Sequence, residues 1–145
     1  MKEKTIVCAD VIAKFQGKIV LVQRFTDPAG IALPGGKQDS GEFLCDTARR
    51  EFFEETGLML EIDNVFSTFA DPNRDPRGRY VSTVFVGRAS GSPKDESGKT
   101  KVIGLRADEL SGVKDRFIFD HWEMLEKYLK LLKTKKGGDK LWQIR

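Results

Sequence analysis

Two cysteines and a single histidine leave this sequence little with which to bind a soft or borderline metal. Cys8 and Cys45 form no C-x-x-C pair and have no histidine cluster beside them, which excludes the usual zinc-finger spacings and a disulfide-built scaffold. Both thiols fall within apolar or helical patterns, where reduced, buried side chains in a cytoplasmic protein are expected. Long hydrophobic runs are also missing. The opening MKEKTIV has no apolar stretch of signal-peptide length, and nothing approaches the ~20 residues that span a bilayer, so no membrane partner is expected. The net charge of +3 is small and owes much to lysines near the end of the chain. They lack the interleaved aromatics of a single-strand-binding surface, so nucleic acid is not an expected partner.

What is there suits one globular domain. Length 145 and a hydrophobic fraction of 39% are ordinary for such a domain. Thr5–Ala13 and Lys18–Gln23 are β-type runs joined by a turn at Phe15-Gln16-Gly17, and Ile31–Leu33 predicts a short strand ending at Pro34-Gly35-Gly36. A helix is expected from Gly41 to Thr56, with Asp39 and Glu42 as a capping box and Gly57 as its left-handed stop. Met59–Phe69, Tyr80–Gly87 and Val102–Leu105 predict strands. Ala89–Lys101 predicts a loop, and Asp108–Leu110 a short turn. A second helix is expected over His121–Lys133, with Asp120 as its N-cap. Residues 1–133 then form the domain, and 134–145 a basic tail ending in the apolar Leu141-Trp142-Gln143-Ile144. Strands interleaved with helices define an α/β layered fold.

The chemistry concentrates between Gly36 and Leu58. Glu51, Glu54 and Glu55 are spaced i, i+3, i+4 and share one helical face, where like charges repel. At about 100° per residue, with Leu44 at zero, Ala48, Phe52 and Cys45 mark a buried sector from about 40° to about 100°. Glu55 then lies near ~20°, Glu51 near ~340° and Glu54 near ~280°, so the first two border the core rather than oppose it. Carboxylates in that position need a positive partner. With no histidine or cysteine pattern nearby, the fitting partner is a hard divalent cation bound through oxygen, Mg²⁺ or Mn²⁺. Gly35 and Gly36 would let the backbone approach such a site, and equally suit a plain strand-to-loop turn.

Gly36, Glu42, and the run Arg50-Glu51-Phe52-x-Glu54-Glu55-x-Gly57-Leu58 are spaced as in the signature of the Nudix hydrolases, which this segment resembles. Phe52 departs from the aliphatic residue preferred there, a matter of packing. The resemblance implies an α/β/α sandwich around a mixed β-sheet and hydrolysis of a nucleoside diphosphate linked to another group. It implies metal ligation by Glu51, Glu54, Glu55 and the backbone at Gly36, with Glu51 or Glu54 also placed to act in catalysis. Glu42 and Arg50 would form a supporting ion pair. Homodimers are common in the family, so a homodimer is among the expected states.

The flanks bear on substrate. Arg74, Arg77 and Arg79 lie in a proline-bounded loop, DPNRDPRGR, and guanidinium forks suit phosphate oxygens; pairing with Asp71 and Asp75 is the structural alternative. The loop is similar to the segment that follows the signature in ADP-ribose pyrophosphatases, as are Leu21–Arg24 and Phe119-Asp120-His121, so Arg24 joins the expected substrate contacts. That group often has histidine where Arg79 stands. It also takes a catalytic base from a distant loop, for which Asp95 and Glu96 are the candidates by position, Glu96 the one assigned. His121 is expected to be structural or to touch a substrate edge. The expected reaction converts ADP-ribose to AMP and ribose 5-phosphate. Oxidised nucleoside triphosphates, dinucleoside polyphosphates and nucleotide sugars are alternative substrates, and a non-catalytic nucleotide sensor is the alternative of another class.

Overall fold

The computed structural model describes residues 4–135. Seven strands form one mixed sheet: β1 (Thr5–Phe15), β2 (Lys18–Arg24), β3 (Gly30–Ala32), β4 (Gly35–Lys37), β5 (Met59–Phe69), β6 (Arg79–Ser90) and β7 (Thr100–Leu105). Helix α1 spans Leu44–Thr56 and α2 spans His121–Lys135, with a 3-10 stretch at Ala107–Arg116 between β7 and α2.

β1 is central because both of its faces are apolar. Ala9, Val11 and Ala13 point to one side, joined by Val20 and Phe85, and pack on Ala48, Phe52 and Leu58 of and after α1. Ile12 points to the other, joined by Leu21, Val84 and Val86, and packs on Leu110 and on Met124, Leu125 and Tyr128 of α2. This two-residue alternation on β1, β2 and β6 builds two cores, and each helix covers one. The result is the expected α/β/α sandwich. β1 and β6 run parallel from Thr5 opposite Arg79 to Lys14 opposite Arg88, while the other strand pairings are antiparallel.

The sheet forks beside β1. β1 and β2 pair only at their hairpin end, Lys14 with Ile19 and Phe15 with Lys18. Beyond that point β2 takes β3 as its neighbour and β1 takes β4. The Leu33-Pro34 link lies in the wedge, with Pro34 O accepting from Val11 N–H at 2.9 Å. The wedge opens into a cavity.

Several expectations change. Gly35–Lys37 is a strand and not simply a turn, because its backbone groups satisfy those of Cys8–Asp10. α1 starts at Leu44, three residues later than expected, with Phe43 at its N-cap and Gly41 at φ +80°. Asp39 does not cap the helix. Its own N–H donates to Glu42 Oε1 at 3.0 Å, and Glu42 otherwise serves Arg50 and Thr47. Asp120 does stand at the N-cap of α2, its C=O accepting the Met124 N–H at 3.0 Å, but its carboxylate goes to Arg74. β6 runs on to Ser90 and β7 begins at Thr100, so the connecting loop is 91–99; the turn expected at Asp108–Leu110 is part of the longer 3-10 stretch, anchored by the buried Leu110. Gly57 ends α1 as expected, at φ +73° with its N–H on Phe53 O at 2.8 Å. The two cysteines are free but only half-buried. α2 continues through Lys135, and the Leu141–Ile144 ending lies outside the described residues.

Neighbouring phenylalanines on α1 give a test of which face is core. Phe52 is fully buried and Phe53 is 52% exposed. Phe52→Ala is expected to lower unfolding stability by about 3–4 kcal/mol in urea titration, against less than about 1 kcal/mol for Phe53→Ala.

Candidate active site

The cavity, of about 460 Å³, is lined on one side by Glu51 and Glu55 of α1 and on its floor by Asp10 of β1, with Gly35, Gly36 and Lys37 from β4. Arg24, Arg74, Asp75, Arg77, Tyr80, Phe119 and His121 complete its walls.

The glutamates fall where the helical wheel puts them. Thr47, Ala48, Phe52 and Thr56 are the buried face of α1, Glu51 and Glu55 border it, and Glu54 stands outside with its side chain 51% exposed. Glu55 Oε1 accepts the Gly35 N–H at 2.8 Å. Burial is the main influence on its acidity and, with the negative charges of Glu51 and Asp10 adding to it, pushes the carboxyl up to about 8. Glu51 is raised for the same first reason, opposed by Arg50. A Cβ at Gly36 would overlap the Glu51 carboxylate, so glycine lets that side chain lie against β4.

Arg50 holds the arrangement together. Its Nε donates to Glu42 Oε2 at 2.7 Å and its Nη2 to Glu42 Oε1 and Lys37 O, both at 3.0 Å. Nη1 donates to Glu51 at 2.9 Å and reaches Glu54 at 3.3 Å. Glu42 thus accepts from Arg50, Thr47 and the Asp39 amide, which together hold its carboxyl down to about 2, the Arg50 hydrogen bond contributing most. One guanidinium nitrogen already supplies positive charge between Glu51 and Glu54.

The donor set suits a hard divalent cation. Glu55 is a mostly buried carboxylate with a single backbone donor and no cationic side chain bonded to it, and a cation would remove the cost of ionising it. Among the described residues no three carboxylate, imidazole or thiol groups converge tightly enough to hold an ion alone. Protein oxygens would therefore be only part of the coordination sphere, as is usual for Mg²⁺ at phosphate sites.

The arginine loop is more tightly tied than its sequence suggests. Arg74 forms a two-pronged bridge to Asp120, Nε to Oδ2 at 2.9 Å and Nη2 to Oδ1 at 2.7 Å, and not to Asp71. Arg77 pairs with the buried Asp75 at 2.8 Å and lies between the rings of Tyr80 and Phe119, 4.7 Å from each centroid. Arg79 opens β6 and is not among the cavity-lining residues; nor are Glu54 and Glu96. Glu96 sits in the 91–99 loop, where Lys94 N–H donates to Thr56 O at the end of α1 at 2.7 Å. Arg24 does line the cavity, its Nε donating to Pro28 O at 2.9 Å.

Sequence reasoning passed over Lys37 and Asp10. Lys37 lines the cavity, and no described residue forms an ion pair with its ammonium group. Its place directly after Gly36 was the available signal. Asp10, in an otherwise apolar strand, is buried and accepts from the Ser82 hydroxyl through Oδ2.

This layered fold sets a glutamate-bearing helix against a glycine strand at the fork of a mixed sheet, with arginine and lysine side chains lining the same cavity. The NUDIX domain model matches residues 4–130, and the chain belongs to the Nudix hydrolase family. It is 30% identical over 126 residues to the ADP-ribose pyrophosphatase of Methanocaldococcus jannaschii, a match covering 86% of this chain and 73% of that protein. Among solved structures, the bifunctional NMN adenylyltransferase/ADP ribose pyrophosphatase of Francisella tularensis, complexed with AMP and a manganese ion, superposes with a TM-score of 0.79 at 24% identity. That match covers 89% of this chain but only 42% of the bifunctional protein. The NUDIX domain of Shewanella oneidensis NrtR, complexed with ADP ribose, gives 0.74 at 22% identity, covering 91% and 90% of the two chains. No helix among the described residues is long and apolar enough to cross a membrane.

The acidity of Glu55 sets a pH signature for the metal-free protein. Its folded-state pKa of about 8 lies above the ordinary 4.5, so its contribution to stability is intact below about 4.5 and is lost as pH rises through about 8. With chelator present, Glu55→Gln is expected to gain on wild type between pH 5 and pH 9 by on the order of 2–4 kcal/mol, or roughly 5–10 °C in melting temperature. A gap that stays constant with pH would contradict the buried, poorly solvated carboxylate.

Proposed function

We propose that this chain hydrolyses the diphosphate bond of a nucleoside diphosphate derivative, and that ADP-ribose, split into AMP and ribose 5-phosphate, is its substrate. The observation that carries this reading is the opposition of charge across one cavity. Glu51 and Glu55 stand on one wall, and Arg24, Lys37, Arg74 and Arg77 on the others. The similarity to a protein named ADP-ribose pyrophosphatase supports the substrate.

Glu51, Glu54 and Glu55, with the Gly36 backbone, are assigned to a divalent cation, Mg²⁺ or in its place Mn²⁺. When bound, that cation neutralises the diphosphate and lowers the pKa of the attacking water. Two or three carboxylates suffice because substrate oxygens and water complete the sphere. Glu42 and Arg50 keep the glutamates in register. Arg24 and Lys37 are the phosphate-facing cations least occupied by protein partners, and Arg74, oriented by Asp120, stands behind them. Tyr80 and Phe119 flank Arg77 and offer aromatic faces to a base. Hydrolysis adds water across the P–O–P bridge: its oxygen bonds to phosphorus, the bridge oxygen leaves on the other product, and the water proton passes to a carboxylate. Glu54 or Glu51 is assigned that acceptor role. Free Cys8 and Cys45 fit a reducing, cytoplasmic setting.

The test is product analysis with Mg²⁺ over ADP-ribose, an oxidised nucleoside triphosphate, a dinucleoside polyphosphate and a nucleotide sugar, with and without chelator. AMP and ribose 5-phosphate from ADP-ribose are expected, and none with chelator. ADP-ribose left intact while another compound turns over would move the substrate assignment. Glu54→Gln is expected to lower kcat by roughly 100-fold or more while ADP-ribose still binds. Glu96→Gln, outside the cavity, is expected to stay within about threefold of wild type.

A further inference from the structure

His121 is the first residue of α2 and the only histidine of the chain, and it is 6% exposed. Its Nδ1 accepts the buried N–H of Leu33 at 3.0 Å, a contact between residues 88 positions apart. An acceptor at Nδ1 puts the imidazole proton on Nε2, which faces Asp10 Oδ2 at 3.8 Å. Asp10 in turn receives the Ser82 hydroxyl on that same oxygen. The ring is therefore set from both sides, by β1 and β6 through Asp10 and by the chain leaving β3 through Leu33. Burial favours the neutral imidazole that this tautomer requires.

Leu33 stands two residues before Gly35, whose N–H is the hydrogen-bond donor to Glu55. Pro34 has no N–H, so between Ala32, paired with Val22, and Gly35, paired with Asp10, Leu33 supplies the one backbone donor of the link. Pro34 O is held by Val11, and Ile31 O by the Ile118 N–H at 2.9 Å. The Leu33 amide is the remaining point at which the segment before α2 grips the turn. Losing its acceptor would leave a buried donor unsatisfied at the link between β3 and β4, which favours a shift of that link. Such a shift displaces the Gly35 amide from Glu55, and Gly36 from the Glu51 carboxylate it closely abuts.

We propose that His121 is a positioning residue: by accepting the Leu33 amide through Nδ1, it fixes the Pro34–Gly36 turn against Glu55 and Glu51. This rests on the assignment of those glutamates above. The neighbouring Asp120 acts on the other wall, through Arg74. One helix start thus orders both the carboxylate side and the arginine side of the cavity.

Two isosteres separate this role from simple packing. Asn places an acceptor where Nδ1 stands and Gln places one where Nε2 stands. In metal-free protein, amide hydrogen exchange at Leu33 and Gly35 is expected to accelerate about tenfold or more in His121→Leu and His121→Gln, and to stay near wild type in His121→Asn. In the Mg²⁺-loaded enzyme kcat is expected to fall about tenfold in the first two with KM within about twofold, and to recover in His121→Asn to within about threefold. Unchanged exchange in His121→Leu, or indistinguishable Asn and Gln variants, would overturn the assignment. Should His121→Leu fail to fold, the Asn–Gln comparison decides alone. If the wild type turns over none of the nucleotides, the hydrolase reading falls, and amide exchange still decides the role of His121.

Discussion

Negative charge crowded onto one helix is the constraint around which this protein is built. Glu51, Glu54 and Glu55 occupy adjacent turns of α1, and burial of Glu51 and Glu55 makes their ionisation more costly still. Arg50 answers part of that cost. Its guanidinium donates to Glu42, Glu51, Glu54 and the Lys37 carbonyl, and so joins α1 to the loop before it and to β4. Glu55 is left with one amide. A carboxylate in a cavity with one backbone donor suits a cation, and the rest of the fold fixes its position. Phe52 pins α1 to the sheet, the fork between β1 and β2 admits the glycine strand, and Gly36 allows that strand to press against Glu51.

Much of this could be read before the structure because it is periodic. The β-type runs of β1, β2 and β6 and the helical spacing of Glu51, Glu54 and Glu55 against Phe52 are local patterns that survive folding unchanged. Gly57 ended α1 as expected because its positive φ is a property of the residue itself. What could not be read were competitions among partners distant in sequence. Asp39 and Asp120 each carry the capping signature, but Asp120 is claimed by Arg74 from 46 residues away and the Glu42 of the first box by Arg50. A two-pronged ion pair between partly buried groups prevails over a cap. β4 was hidden for the same reason: three residues with two glycines have no strand propensity, and they are a strand only because β1 lies open beside them.

The cations lining the cavity illustrate the same limit. Arginines spaced between prolines suggest free forks, whereas Arg74 and Arg77 are each committed to an aspartate and Arg77 also to two aromatic rings. Lys37, unremarkable in sequence, is left facing the cavity. Arg24 and Lys37 line the cavity without an ion pair among the described residues, and Arg74 and Arg77 are held in fixed orientation by Asp120 and Asp75. Phe119, Asp120 and His121 carry much of that order, the first two holding Arg77 and Arg74 of the 70–78 loop and the third the Leu33 amide after β3. Phe119 does so from a left-handed backbone, φ +52°, an expense tolerated where several contacts fix one residue.

The central claim is that the unmatched carboxylates of α1 exist to take a divalent cation. Titration of the protein with Mn²⁺, followed by electron paramagnetic resonance of the free ion, tests it without reference to any substrate. The account predicts binding that strengthens as pH rises from 6 to 8, as Glu55 gives up its proton, and that weakens about tenfold or more in Glu55→Gln with the pH dependence abolished. Binding equal in the two proteins, or insensitive to pH across that range, would contradict it.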